Sequence, residues 1–170
     1  VPVIESWWRP AVGRAATFPW FNGDGDFSLG TNWGGVAPGF DPANVLIFGG
    51  AGSYTARNDL GNDLPVSQLL LTNTGTAIST LTGGSLLFDA AGAGLLTQNG
   101  SGFFRINNGL NLGRDLLVSG TGSGGIVLAG PVSGAFELDK SGDFTLSLLG
   151  ANSFAGLNLA GGKVRIHNND

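Results

Sequence analysis

The chain has 170 residues, of which 31 are glycine, and it contains no cysteine and no methionine. This glycine content is far below the one-third of collagen, and the lack of cysteine excludes disulfides, thiolate metal sites and cysteine nucleophiles. Eight basic residues against twelve acidic ones give a formal net charge of -4, which argues against nucleic acid as a partner.

The first 42 residues differ in composition from the rest of the chain. They contain five of the seven prolines and all four tryptophans, which are Trp7, Trp8, Trp20 and Trp33. We therefore predict a boundary near residue 43. Residues 1–42 are interpreted as an N-terminal arm and aromatic cap, and residues 43–170 as a repetitive β-rich unit.

One segment of the cap imitates the start of a calcium-binding loop, with oxygen-bearing side chains at Asn22, Asp24 and Asp26. The pattern then fails, because its sixth position is Phe27 instead of glycine and its twelfth is Trp33 instead of a bidentate glutamate. The segment is more typical of an Asn/Asp/Gly turn. We predict no metal and no cofactor for this chain.

After residue 43 the chain becomes a series of short apolar runs separated by Gly, Asn, Asp and Ser. Each run has the length and composition of a β-strand. The runs are Val45–Phe48, Gln68–Leu71, Ser85–Phe88, Phe103–Ile106, Leu116–Val118 and Gly125–Leu128.

From residue 136 onwards, apolar and polar residues alternate with the period of two that is typical of half-buried strands. The apolar set is predicted to point inward, while residues such as Glu137, Asp139 and Arg165 point outward. No stretch has helical periodicity longer than two turns, so the protein is predicted to be all-β. The inward set is Phe136, Leu138, Phe144, Leu146, Leu148, Leu157, Leu159, Val164 and Ile166.

Very short strands joined by Gly-rich corners favour a β-solenoid, in which each turn stacks about 4.8 Å above the last. Leu70, Leu87 and Phe104 are evenly spaced along the sequence, although later runs are closer together. With turns of roughly 20 residues, residues 43–170 would form about six turns. A jelly roll or β-sandwich remains the alternative architecture.

Residues 136–166 also combine a strand with a following Lys-x-Gly, a Gly-x-Asn-x-Phe-x-Gly segment and a final strand. This stretch resembles the autotransporter-associated β-strand repeat, and residues 20–49 look like the aromatic segment that begins many such passengers. The resemblance implies a right-handed parallel β-helix, export to the bacterial surface or beyond, and a scaffold role. The matching positions are Leu138, Lys140, Gly142, Leu146, Gly150, Asn152, Phe154, Gly156, Gly162, Val164 and Ile166.

The clustered carboxylates Glu137, Asp139 and Asp143 suggest glycoside hydrolysis, which uses two carboxyl groups that flank the scissile bond. They lie on the outward parity beside Lys140, so a solvated ion pair is the more ordinary interpretation. His167 is the only histidine and alternates outward. We therefore predict that the protein is not an enzyme.

We predict a secreted or surface-exposed bacterial protein, because the chain is poor in charge and cysteine-free and begins at Val1. No apolar run approaches the roughly 18 residues of a membrane-spanning helix, so it is not expected to be membrane-embedded. The leading hypothesis is a self-assembling filament or surface-fibre subunit, and the alternative is an adhesin-like passenger fragment that binds surfaces or glycans. The predicted assembly interface comprises Val3, Ile4, Trp7, Trp8, Val164 and Ile166.

Overall fold

The structure, a computed structural model, describes residues 15–21, 23–76 and 78–167. Within these ranges the chain winds about six turns of a parallel β-solenoid, and the only helix is a 3-10 turn at Gly30–Trp33. The predicted all-β solenoid is therefore confirmed, and the jelly-roll alternative is wrong because every strand pairing is parallel.

Three parallel sheets form the faces of the solenoid. Sheet A contains, in order along the axis, β1 (Thr17–Pro19), β3 (Val45–Phe48), β6 (Gln68–Leu71), β9 (Gly94–Gln98), β12 (Leu116–Ser119), β15 (Glu137–Lys140) and β17 (Gly156–Leu159). Sheet B contains β2 (Gly25–Asp26), β4 (Thr55–Asn58), β7 (Ile78–Gly83), β10 (Phe103–Ile106), β13 (Ile126–Leu128), β16 (Thr145–Leu148) and β18 (Lys163–Ile166). Sheet C contains β5 (Leu64–Pro65), β8 (Leu86–Phe88), β11 (Leu110–Leu112) and β14 (Val132–Gly134).

The strand register gives the true length of a turn. Leu116 pairs with Leu138 and Leu138 pairs with Leu157, so the second of these two turns is slightly shorter than the first. The first described turn is the longer one that separates Thr17 from its partner Val45. The even spacing of the apolar runs in the sequence joins β6, β8 and β10, which belong to three different sheets, and therefore does not measure a turn.

The interior of the solenoid is filled by alternate residues of each strand. All six strands predicted after residue 43 are present, with ends that differ by at most one residue. Strands β4, β7 and β9 were not predicted, because Thr, Ser, Gln and Arg interrupt their apolar character. Their inward residues, such as Ala56, Leu81 and Leu96, are nevertheless fully buried.

An aromatic cluster fills the N-terminal end of the solenoid. The ring centroids of Trp20 and Trp33 lie 4.8 Å apart, and those of Phe27 and Trp33 lie 5.0 Å apart. The indole N–H of Trp33 donates to the carbonyl of Phe27 at 2.8 Å, so this buried polar atom is satisfied. These aromatic side chains therefore form the core of the first described turn, while the assignment of residues 1–42 as an arm and cap stays a prediction.

The inward alternation predicted for the C-terminal part is confirmed in direction. Leu138, Phe144, Leu146 and Leu148 are buried, and Phe136, Leu157 and Val164 pack against the core. Leu159 pairs with the buried Lys140, and Ile166 pairs with the buried Leu148, so both are on the inward parity. They are nevertheless exposed, because no described strand lies above the last turn. Their exposed fractions are 53% for Leu159 and 59% for Ile166.

No helix of the described residues is both long enough and apolar enough to cross a membrane.

Candidate functional surfaces

Lys140 lies inside the corner between sheets A and B, and its side chain is 1% exposed. Its ammonium group donates to the carbonyls of Ser141, Gly142 and Gly161 at 2.6, 2.8 and 3.2 Å. The prediction that Lys140 belongs to a solvated ion pair with the outward carboxylates is wrong. Lysine shares the inward parity of Leu138, and its three carbonyl partners compensate for the loss of water.

The environment of Lys140 shifts its protonation equilibrium. Burial lowers the pKa of Lys140 because it disfavours the charged form, while the negative charge of Asp143 acts in the opposite direction. The ammonium group also lies 3.9 Å from the centre of the Phe144 ring. Lys140 is thus a structural group at this corner, and it is not available on the surface.

The carboxylates Glu137 and Asp139 share the outer face of sheet A, as predicted. The side-chain amide of Asn158 donates to Glu137 Oε2 and to Asp139 Oδ1, both at 2.8 Å. Glu137 is exposed and Asp139 is half-buried, and Asp143 lies apart at the following corner. Two carboxylates on the outer face of a sheet, sharing one amide donor, lack the apolar pocket that raises the pKa of a catalytic acid.

The acidic residues of the calcium-like segment form a hydrogen bond and an ion pair with the neighbouring strand β4. Asp24 Oδ1 accepts the backbone N–H of Thr55 at 2.7 Å, and Asp26 Oδ1 lies 3.4 Å from Arg57 Nη1. Asn22 lies outside the described residues. The described ranges contain no group of three or more His, Asp or Glu residues that could hold a metal ion.

The last described turn presents an open apolar end. Strand β17 pairs only with β15, and β18 pairs only with β16, among the strands of the described chain. No described turn covers the inward side chains of these two strands, whereas their equivalents in earlier turns are buried. They are Leu157, Leu159, Val164 and Ile166. Two of the predicted interface residues, Val164 and Ile166, therefore lie together on this end.

Four large apolar side chains are also exposed in the described N-terminal segment. They are Phe21, Leu29, Val36 and Phe40, with exposed fractions of 58%, 53%, 73% and 61%. The other four predicted interface residues, Val3, Ile4, Trp7 and Trp8, lie outside the described residues, and their role stays a prediction.

Among the described strands β1 pairs only with β3, and its other edge, called the open edge here, carries a proline. Trp20 N–H donates to the Ile47 carbonyl, and Val45 N–H donates to the Ala16 carbonyl, so the even-numbered residues face β3. Pro19 therefore directs its nitrogen, which has no hydrogen, toward the open side. Such a residue weakens pairing of another strand at this edge of sheet A.

The outer face of sheet B contains a shallow groove that the sequence analysis missed. It is lined by Phe103, Gly125, Ile126, Val127, Thr145, Ser147 and Arg165. These residues come from four successive turns, so their proximity depends on the register between turns. The signals in the sequence were an aromatic residue at an outward position, in Phe103, and a glycine at the equivalent position of the next turn, in Gly125.

His167 follows β18 and is exposed, as the outward alternation predicted.

Comparison of the chain with protein-family models, with curated proteins and with solved structures finds no match. The resemblance to the autotransporter-associated repeat is therefore carried only by the residues quoted for it, and the functional interpretation depends on the surfaces described above.

Proposed function

We propose that this protein is a non-enzymatic structural subunit that assembles end to end into an extracellular filament or surface fibre. The observation that carries the proposal is the open apolar end formed by β17 and β18. A strand edge with unpaired N–H and C=O groups beside uncovered apolar side chains favours addition of another strand.

In the proposed joint, a second copy supplies the covering turn. The inward side chains of β17 and β18 would then be buried, as Leu138, Leu146 and Leu148 are buried one turn earlier. Burial of a leucine or isoleucine side chain contributes about 1.5–3 kcal/mol, so Leu159 and Ile166 are the strongest candidates for anchors.

The N-terminal side of the joint relies more on side chains than on backbone pairing. Pro19 removes one donor from the open edge of β1, whereas the exposed Phe21, Leu29, Val36 and Phe40 offer apolar contact area. The tryptophans of residues 1–8 are proposed as further anchors, because large aromatic side chains commonly dominate interface energies.

The outer carboxylates Glu137 and Asp139 have a structural role that requires no catalytic activity. Glu137 and Asp139 are bridged by Asn158 across neighbouring turns, which is a stabilising contact between strands. Export to the bacterial surface forms part of the proposal and is supported by the composition and by the repeat-like residues 136–166.

The test compares two aspartate variants at equally exposed apolar positions. Leu159 lies on the open end and Ile78 lies on the outer face of sheet B, and each is 53% exposed. We expect the wild-type chain to form filaments in negative-stain micrographs, Leu159→Asp to remain monomeric in light scattering, and Ile78→Asp to form filaments. A wild-type chain that stays monomeric or stops at dimers contradicts the proposal, and so does equal behaviour of the two variants.

Removal of residues 1–8 tests the predicted contribution of Val3, Ile4, Trp7 and Trp8. We expect a folded monomer that no longer polymerises, judged by circular dichroism and light scattering. Polymerisation of the truncated chain would exclude these residues from the joint, and unfolding would show that they cap their own solenoid.

A further inference from the structure

We infer that the groove on the outer face of sheet B binds an acidic polysaccharide. This surface runs along the side of the solenoid, so the inference does not depend on the proposed end-to-end assembly.

Two rows of outward side chains define the site. One row runs from Phe103 through Gly125 and Thr145 to Lys163. The second row runs from Arg105 through Val127 and Ser147 to Arg165. With strands about 4.8 Å apart, each row is about 14 Å long.

Phe103 forms the aromatic wall of the groove. It is 52% exposed, and its ring leans over Gly125, where an added Cβ would lie 2.8 Å from the ring. The absence of a side chain at Gly125 therefore lets the Phe103 ring lie over the neighbouring strand of the next turn. The exposed part of this aromatic ring offers an apolar contact for the C–H groups of a sugar ring.

The floor and the far end of the groove supply polar contacts. Thr145 and Ser147 carry hydroxyl groups that donate and accept hydrogen bonds, which suits the hydroxyl groups of a sugar. Arg165 lines the groove, and its guanidinium group matches the planar geometry of a carboxylate.

The charges on this face point to an acidic ligand. The protein carries a formal net charge of -4, yet Arg105, Lys163 and Arg165 all project from the same face of sheet B. In the described part of the chain, no carboxylate lies within salt-bridge distance of these three side chains. Asp143, two residues before Thr145, is the acidic residue nearest in sequence to the groove.

The composition of the site favours a saccharide over a nucleic acid. A single-stranded nucleic acid is held by successive stacked bases along a strongly basic groove. Here one aromatic ring, two hydroxyl groups and one arginine line the groove, two further cations lie on the same face, and the net charge of the protein is negative.

The experiment measures binding of polygalacturonate by calorimetry, with dextran as the uncharged polysaccharide. We expect polygalacturonate to bind and dextran to bind at least tenfold more weakly, because each charge-assisted contact contributes about a factor of ten. Arg165→Ala and Phe103→Ala should each reduce the affinity for polygalacturonate by about tenfold.

Arg114→Ala is the matched control, because Arg114 is also exposed but lies at a corner between β11 and β12, outside the groove. Its affinity should equal that of the wild type, and circular dichroism should show that all three variants are folded. Four results would overturn the inference: no binding of polygalacturonate, equal binding of dextran, equal losses in Arg165→Ala and Arg114→Ala, or tighter binding of a single-stranded oligonucleotide.

Discussion

The ammonium group of Lys140 lies over the ring of Phe144, 3.9 Å from its centre, at a corner where the chain passes from sheet A to sheet B. The same ammonium group donates a hydrogen bond to the carbonyl of Gly161 in the next turn. One side chain thus connects two successive corners of the solenoid and satisfies backbone acceptors that the corner leaves without a strand partner.

Replacement of Lys140 by methionine should destabilise the protein, by about 1–3 kcal/mol. Methionine fills similar space but leaves the carbonyls of Ser141, Gly142 and Gly161 without their donor. The measurement is the free energy of unfolding in urea. The exposed Lys163 provides the control, and Lys163→Met should change stability by less than about 0.5 kcal/mol. Equal stability of the two variants would contradict this role of Lys140.

Leu146→Asp should unfold the C-terminal turns. Leu146 is fully buried between Ile126 and Val164, and an unpaired carboxylate at such a site costs several kcal/mol. Limited proteolysis should cut the variant after residue 116 while the earlier turns remain protected, because each turn contacts only its neighbours. The outward neighbour Ser147→Asp should stay resistant. Resistance of Leu146→Asp would refute the core assignment.

Tyr54 should ionise at a higher pH than an exposed tyrosine, and the stability of the protein should therefore decrease at high pH. Burial raises the pKa of Tyr54 to about 12, and the nearby Ser79 hydroxyl offsets only part of that rise. In the unfolded chain the phenol loses its proton near pH 10, so between pH 10 and 12 the unfolded state binds fewer protons. The contribution of Tyr54 to the free energy of unfolding is therefore fully present below pH 10. It is lost as the pH rises toward 12, by up to about 3 kcal/mol.

The chain has only one tyrosine, so absorbance of the phenolate reports on Tyr54 alone. Urea unfolding at several alkaline pH values gives the matching loss of stability, and Tyr54→Phe should remove this part of it. A midpoint of ionisation near pH 10 in the folded protein would contradict the burial of this hydroxyl.

Gly122 should not tolerate alanine. An added Cβ would lie 2.2 Å from the carbonyl oxygen of Gly100, which belongs to the corner one turn earlier. Backbone atoms cannot move aside cheaply, so we expect Gly122→Ala to destabilise the protein by about 1–3 kcal/mol. At Gly92 nothing lies within 4 Å, and Gly92→Ala should be neutral or slightly stabilising. Thermal melting of both variants measures the difference, and a common melting temperature would contradict the close stacking of the corners.

The outer carboxylates should be dispensable for assembly. Glu137→Gln and Asp139→Asn keep the size of each side chain, and we expect both variants to form the same assemblies as the wild type in negative stain. Release of reducing ends from an acidic polysaccharide by the wild type, lost in Asp139→Asn, would instead identify the protein as an enzyme.

The alternation of the sequence was sufficient to predict the interior of the C-terminal turns. It correctly placed Leu138, Leu146 and Leu148 inside and Glu137 and Asp139 outside, because side-chain direction follows directly from a period of two. Lys140 shares the parity of Leu138, yet its position beside the outward carboxylates predicts a solvated ion pair, since lysine is rarely buried without partners. Its partners are carbonyl groups of the corners, which no sequence pattern identifies.

The surfaces depend on which residues of different turns become neighbours. Phe103, Thr145 and Arg165 meet in one groove only because the intervening corners have particular lengths, and these lengths vary between turns. The exposure of Leu159 and Ile166 likewise depends on the neighbouring turn. Both side chains are exposed because no described strand lies above them, and the sequences of β17 and β18 contain no signal for this exposure.

Leu95, Leu117 and Asp139 lie in register across sheet A and are equally spaced along the sequence, so two successive turns have the same length. Each turn rests only on the turns beside it, so duplication of one such unit would lengthen the solenoid by about 4.8 Å while the cross-section stays the same. The axial dimension of this fold can therefore change in fixed increments through in-frame duplication or loss of a unit. A globular core, in which every element touches several others, offers no comparable way to alter size without repacking.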